Sequence, residues 1–140
     1  MKIKKVVVIG SGTMGSGIAA HLCNANIPVT LLDLKTEISE KARDKIHKSR
    51  PPLLLDKSKI TNIEVGNILD NFDVVKDADW VVEAVVERID IKHNIYQKIF
   101  KVRKKGAIVS SNTSSIPIKV LSQNLTEEEK KDFCITHFFN

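Results

Sequence analysis

Short apolar runs rich in valine and isoleucine alternate along this chain with longer segments in which apolar residues recur every three or four positions. The short runs are typical of buried strands, whereas the spacing of Met14, Ile18 and Leu22 indicates a helix. Predicted strands cover residues 3–9, 28–33, 62–66, 79–86, 107–111 and the end of the chain at 133–140. Predicted helices cover residues 14–25, 36–49, 90–102 and 117–123. This alternation predicts an α/β fold with a doubly wound, mainly parallel sheet and helices on both faces.

The third predicted helix has its own start and stop signals. Asp90 is expected to act as its N-cap, and Gly106 follows its end. With 140 residues, no internal repeat and no linker, the chain is expected to be one domain spanning residues 1–140.

A glycine-rich loop follows the first predicted strand directly. In GSGTMG, Gly10, Gly12 and Gly15 have the GxGxxG spacing that binds a dinucleotide pyrophosphate at a helix N-terminus. Asp33 ends the second predicted strand, where a carboxylate accepts hydrogen bonds from ribose hydroxyls and repels a 2′-phosphate. Lys35 weakens this preference slightly without replacing the acid. The sequence therefore predicts a Rossmann-type domain that binds NAD rather than NADP. The loop residues expected to bind it are Gly10, Gly12, Thr13, Met14 and Gly15.

The net charge of +5 raises the question of nucleic-acid binding. The basic residues concentrate at 41–59 and 98–105, where they are interleaved with acids and lack aromatic stacking partners. We expect solvated helix faces and no nucleic-acid partner.

The remaining composition indicates an ordinary globular protein. No apolar run approaches the roughly 18 residues of a membrane span, and the apolar N-terminus is better explained as a strand than as a signal peptide. Cys23 and Cys134 form no CxxC pair, so we expect no metal site and a cytoplasmic location.

Four segments together resemble the NAD-binding domain of the L-3-hydroxyacyl-CoA dehydrogenases, particularly the dehydrogenase portion of bacterial fatty-acid oxidation proteins. They are VVVIGSGTMGSGIA, DWVVEAVVERIDIK, SSNTSSIPI and THFFN, in that order. The resemblance covers essentially the whole chain. It implies NAD-dependent oxidation of 3-hydroxyacyl-CoA to 3-oxoacyl-CoA in fatty-acid β-oxidation.

The resemblance also implies roles for individual residues. His137 would be the catalytic base, which suits a side chain whose pKa lies near neutrality. Ser114 would hydrogen-bond the reacting oxygen of the substrate and lie against the nicotinamide. The remaining expected cofactor-binding residues are Val85, Val86, Glu87, Lys92 and Asn140. Glu83, inside the apolar run, is interpreted as a structural residue bonded at the sheet's edge.

In that family a glutamate beyond the histidine and a helical C-terminal domain complete the active site. Because the sequence stops at Asn140, we expect that domain to be absent and the isolated chain to be weakly active or inactive. An excised fragment, a natural half completed by a separate helical chain and a gene remnant all fit this expectation.

Two other functions remain open at this point. One is a non-catalytic NAD-binding module. The other is a different β-hydroxyacid dehydrogenase that shares the GTMG loop, although such enzymes prefer an Asn-Arg pair at Asp33-Leu34 and lack the HFFN ending.

Overall fold

A computed structural model describes residues 1–139; the predicted cofactor residue Asn140 lies outside the described residues. The strands are β1 (Val6–Ile9), β2 (Val29–Asp33), β3 (Ile63–Asn67), β4 (Trp80–Glu83), β5 (Ile108–Ser111) and β6 (Phe133–Ile135). The helices are α1 (Thr13–Asn24), α2 (Thr36–Lys48), α3 (Ile89–Val102), α4 (Ile118–Leu121) and α5 (Glu127–Lys130). Short 3₁₀ segments at Lys57–Asn62 and Phe72–Asp77 precede β3 and β4.

The six strands form one sheet in the order β3-β2-β1-β4-β5-β6, and every pair is parallel. The fold is therefore the predicted Rossmann-type doubly wound sheet, although it is entirely rather than mainly parallel. The strand order reverses direction between β1 and β4. In sheets of this kind, ligands bind beyond the carboxyl ends of the strands at that switch point.

Helices cover both faces of the sheet, which explains why β1 is apolar at every position. Val6 and Val8 belong to the core beneath α1 and α2, whereas Val7 and Ile9 belong to the core beneath α3. Successive side chains of a strand point to opposite faces, so a doubly covered strand must be apolar throughout. The burial of all four residues places the end of β1 rigidly at the switch point.

The start of α1 depends on two glycines that cannot carry a side chain. Gly10 has a φ of +104°, and an added Cβ there would overlap the Ala84 carbonyl. A Cβ on Gly15 would overlap the carbonyl oxygen of Gly10. The turn out of β1 can therefore close tightly against β4 only with glycine at both positions.

Three sequence-based expectations are wrong in detail. Asp90 is not the N-cap of α3, because the helix begins at Ile89 with Arg88 at the cap, and Asp90 pairs with Arg88 at 2.9 Å. The last strand ends at Ile135, so most of the segment 136–139 lies beyond the sheet. Glu83 is not at the edge of the sheet, because it ends β4, which pairs with strands on both sides.

Two further features concern the described residues as a whole. Across residues 1–139, no helix combines the length and the apolar character that crossing a bilayer requires. Within the same range, no group of three His, Cys, Asp or Glu side chains could hold a metal ion.

Candidate active site

A cavity of about 740 Å³ opens at the carboxyl ends of β1 and β4, where the strand order reverses. Its lining includes residues from both ends of the chain. The sequence-predicted site residues found in it are Gly10, Gly12, Thr13, Met14, Asp33, Val85, Val86, Glu87, Lys92, Ser114 and His137. Gly15 lies beneath the loop, packed against Gly10.

On one side of the cavity, the N-terminus of α1 presents uncapped backbone amides. The N-cap residue Gly12 has no side chain to accept them, and the first helical bond in the ladder comes from the Ser16 N–H to the Gly12 carbonyl at 2.9 Å. A Cβ on Gly12 would have no atom within 4 Å. The open space above Gly12 and the free amides beside it suit a bound phosphate group.

Asp33, the last residue of β2, lies beside the beginning of this loop, and its carboxylate is already oriented. The Ser11 amide and hydroxyl both donate to Oδ2, at 2.8 and 2.5 Å, and the Leu34 amide donates to Oδ1 at 2.7 Å. A carboxylate offers about four acceptor positions, so room remains for a ribose hydroxyl. Ser11, which the sequence analysis did not single out, therefore fixes the predicted ribose acceptor.

On the other side of the cavity, a buried ion pair joins β4 to α3. The Lys92 ammonium lies 2.6 Å from Glu83 and 3.0 Å from Glu87. The side chains of Glu83 and Lys92 are 0% and 1% exposed, whereas that of Glu87 is 37% exposed. Within residues 1–139 the ammonium has no third protein partner. One of its three donors is therefore not used by the described protein groups, and Lys92 is among the residues that line the cavity.

Glu87 gathers the loop that follows β5. It accepts hydrogen bonds from the Thr113 hydroxyl at 2.9 Å and from the Ser114 amide at 3.1 Å, and the Ser114 and Ser115 hydroxyls lie 3.4 Å away. Burial alone would raise the pKa of Glu87. The Lys92 ammonium and the loop donors outweigh it, lowering the pKa from its usual 4.5 to about 2. Glu87 therefore stays ionised and holds Ser114 at the mouth of the cavity.

His137 lies beyond β6, exposed at the rim of the same cavity. Its Nδ1 is 3.4 Å from the Asn112 carbonyl oxygen, and the Asn112 side chain accepts from the Phe138 amide at 2.8 Å. Both contacts depend on the parallel pairing of β5 with β6. That pairing brings two segments 25 residues apart to one place.

Comparison with known protein families identifies the family to which the chain belongs. The family model for the NAD-binding domain of 3-hydroxyacyl-CoA dehydrogenase matches residues 5–140. The chain belongs to this family. NAD is accordingly the cofactor of this NAD-binding domain, in agreement with the glycine loop and Asp33.

Individual relatives agree with the family assignment. A putative fatty acid oxidation complex trifunctional enzyme of Rickettsia felis is 44% identical over 99% of this chain, which spans 20% of that protein. A probable 3-hydroxyacyl-CoA dehydrogenase of Deinococcus radiodurans is 43% identical over 100% of this chain, which spans 42% of that protein. The crystal structure of 3-hydroxybutyryl-CoA dehydrogenase from Escherichia coli has a TM-score of 0.86 and 27% identity. That match covers 100% of this chain and 30% of the E. coli chain. The chain thus spans less than half the length of these relatives.

The cavity of the domain fits the two ends of NAD in different ways. The glycine loop and Asp33 offer mostly backbone amides and one carboxylate, which match a pyrophosphate and a ribose. The opposite wall combines the apolar Val85 and Val86 with the charged Lys92. It therefore suits a flat ring with a polar substituent.

Three residues that support this wall were not singled out from the sequence: Tyr96, Ser111 and Asn112. The fourth, Glu83, was expected to be structural but was placed at the edge of the sheet rather than at the centre of this network. The hydroxyls of Tyr96 and Ser111 donate to Glu83 Oε1 at 2.5 and 2.7 Å. The one available signal was the presence of Glu83 inside the run VVEAVV, because a carboxylate at a buried strand position requires donors from elsewhere.

Proposed function

We propose that this domain serves an L-3-hydroxyacyl-CoA dehydrogenase of fatty-acid β-oxidation, in which His137 and Ser114 act on the 3-hydroxyl of the substrate. The observation that carries the proposal is that both residues line the cavity that also contains the glycine loop and Asp33. NAD bound there would supply the acceptor for the hydride that leaves carbon 3 as the hydroxyl becomes a carbonyl.

His137 would take the hydroxyl proton. The Asn112 carbonyl can only accept, so a hydrogen bond to His137 puts the imidazole proton on Nδ1. Nε2 then carries the free lone pair, as a general base requires. The imidazolium formed in this way would return its proton to solvent, because His137 lies at the exposed rim.

Ser114 would orient the same hydroxyl. Its amide is tied to Glu87 at 3.1 Å, whereas its own hydroxyl lies a looser 3.4 Å from that carboxylate. The backbone is thereby fixed while the hydroxyl stays free to turn toward a substrate oxygen. Val85, Val86, Glu87 and Lys92 would hold the nicotinamide half of NAD, and Asn140 would join them from outside the described residues.

The remaining contacts to the substrate would come from beyond the matched region. The curated relatives extend well past the part that this chain matches. A further domain, in the same protein or as a separate partner chain, would bind the acyl-CoA beside His137. We place the protein in the cytoplasm, a compartment that suits the free thiols of Cys23 and Cys134.

The proposal is tested with 3-hydroxybutyryl-CoA and NAD by following NADH absorbance. The chain alone should turn over slowly or not at all, because loss of substrate positioning forfeits on the order of 7 kcal/mol, or about five powers of ten in rate. Adding the rest of the D. radiodurans relative as a separate polypeptide should raise the rate. His137→Ala should abolish the restored activity and leave NAD affinity nearly unchanged.

Two results would contradict the proposal. Restored activity that survives His137→Ala would remove the histidine from its assigned role. NAD binding without turnover under any complementation would instead favour a non-catalytic NAD-binding module.

A further inference from the structure

Glu83 forms the centre of a buried hydrogen-bond network beneath the cavity. Its carboxylate accepts four donors: the Lys92 ammonium at 2.6 Å, the Tyr96 hydroxyl at 2.5 Å, the Ser111 hydroxyl at 2.7 Å and the Val85 amide at 2.9 Å. These donors come from α3, from β5 and from the loop after β4. We propose that Glu83 is a positioning residue that holds the serine loop, residues 113–115, in the geometry needed at the nicotinamide half of the site. This inference rests on the role proposed for Ser114.

The first connection from Glu83 to the serine loop passes through charges. Glu83 holds Lys92, Lys92 holds Glu87, and Glu87 accepts from Thr113 and from the backbone of Ser114. If Glu83 lost its charge, Lys92 would keep only Glu87 as a counter-ion. The ammonium would then shift toward the exposed carboxylate, and the serine loop would shift with it.

The second connection passes through hydroxyls. Ser111 donates to Glu83, and its oxygen accepts from the Thr113 amide at 3.1 Å. The Thr113 hydroxyl then accepts from the Ile116 amide at 3.1 Å and lies 3.4 Å from the Ser115 amide. Glu83 therefore reaches both ends of the serine loop. The two connections leave Glu83 by different donors and meet at Thr113, so Glu83 fixes both the backbone and the side chain of that residue.

Stability alone is a weak explanation for this network. A buried ion pair is often no more stabilising than apolar side chains of the same volume, because both charges lose their hydration. The Tyr96 phenol, whose pKa is raised by burial and by Glu83, remains a donor at any physiological pH. Every group therefore has a fixed donor or acceptor role, which gives the loop one arrangement.

The test compares two ligands on the same variant. ADP occupies the half of the site formed by the glycine loop and Asp33, whereas NADH also needs the opposite wall. Glu83→Gln should weaken NADH binding about tenfold, the effect expected if the displaced wall loses one charged hydrogen bond to the ligand, and leave ADP affinity unchanged. Hydrogen exchange of the amides at 111–116 should become faster. NADH fluorescence, calorimetry with ADP and mass spectrometry give the three readouts.

Asp132→Asn is the matched control, because Asp132 forms a partly buried ion pair with Arg103 that is not part of the cavity. It should change neither NADH affinity nor exchange at 111–116. If Glu83→Gln fails to fold, Ser111→Ala breaks the second connection and keeps every charge. Ser111→Ala should also weaken NADH binding while leaving ADP affinity unchanged.

The outcomes separate this inference from the proposed function. Equal losses of NADH and ADP affinity would make Glu83 purely structural and overturn the inference, as would unchanged NADH binding. A folded wild-type chain that binds no NADH would instead refute the cofactor site on which the proposed function depends.

Discussion

Substitution of Asp33 tests the cofactor preference most directly. The carboxylate is held by the Ser11 amide, the Ser11 hydroxyl and the Leu34 amide at 2.5 to 2.8 Å, so it cannot swing away from an approaching ligand. Asp33→Asn keeps the shape of the side chain and removes its charge. NAD should bind the variant more weakly, and NADP should bind it more tightly than it binds the wild type.

The expected sizes follow from the groups involved. A hydrogen bond from a ribose hydroxyl to a carboxylate is worth about 1.5–3 kcal/mol and one to a neutral amide oxygen about 1 kcal/mol, so NAD affinity should fall roughly tenfold. A 2′-phosphate about 4 Å from a carboxylate meets repulsion of about 4 kcal/mol per charge pair near a protein surface, before screening by salt. Wild type should therefore prefer NAD by at least about tenfold, and Asp33→Asn should remove most of that preference.

Calorimetric titration of both dinucleotides into wild type, Asp33→Asn and Asp73→Asn measures these changes. Asp73 is an exposed acid outside the cavity, so it controls for the loss of one negative charge from the protein. Equal affinities of the wild type for NAD and NADP would refute the assignment of Asp33. So would an Asp33→Asn variant whose preference is unchanged.

Three further substitutions have separable effects on binding and folding. Gly12→Ala should fold normally, because its Cβ meets nothing within 4 Å. Its NAD affinity should fall at least about tenfold, because the added methyl group lies where the pyrophosphate would approach, as a fluorescence titration would show. Gly17→Ala, whose Cβ has equal free space, is the control and should keep its NAD affinity. Gly15→Ala should instead destabilise the fold and lower the urea midpoint, because its Cβ would overlap the Gly10 carbonyl. An unchanged midpoint would show that the turn can open. The pKa of Glu87 in the folded state is about 2, so its stabilising contribution is complete above its usual pKa of 4.5 and is lost as pH falls toward 2. Glu87→Gln should therefore have a lower urea midpoint than wild type at pH 7, and its midpoint should fall less than that of wild type between pH 7 and pH 3. Identical dependence of the two midpoints on pH would contradict this.

The parts of the molecule that could be predicted from sequence are those governed by local rules. The alternation of strands and helices follows from periodicity, and the glycine loop follows from spacing. Asp33 could be placed because the end of a second strand beside a glycine loop is a fixed position in this fold. Element ends were less accurate. The charge of Asp90 suggested an N-cap, whereas the helix begins at Ile89, and the carbonyl of the extended Arg88 accepts the first helical hydrogen bond from the Lys92 amide.

The interior of the site could not be predicted from local rules. Whether Glu83 is tolerated inside an apolar strand depends on Lys92, Tyr96 and Ser111, which are 9, 13 and 28 residues away along the chain. Lys92 looked like a surface lysine apart from the family resemblance, because nothing in the first turn of a helix indicates that its ammonium will be buried. Only the packing of α3 against β4 and β5 brings these groups together.

The two walls of the cavity should therefore respond differently to mutation. The wall formed by the start of α1 offers backbone amides, so its predicted function should depend on keeping Gly10, Gly12 and Gly15 rather than on any one side chain. The opposite wall depends on side chains, because the Ser114 backbone is held through Glu87, Lys92 and, at the base, Glu83. A buried carboxylate is costly unless every acceptor position is satisfied, so removing one member weakens the others. The adenosine half of the site should then persist in variants that have already lost the geometry of the reacting half.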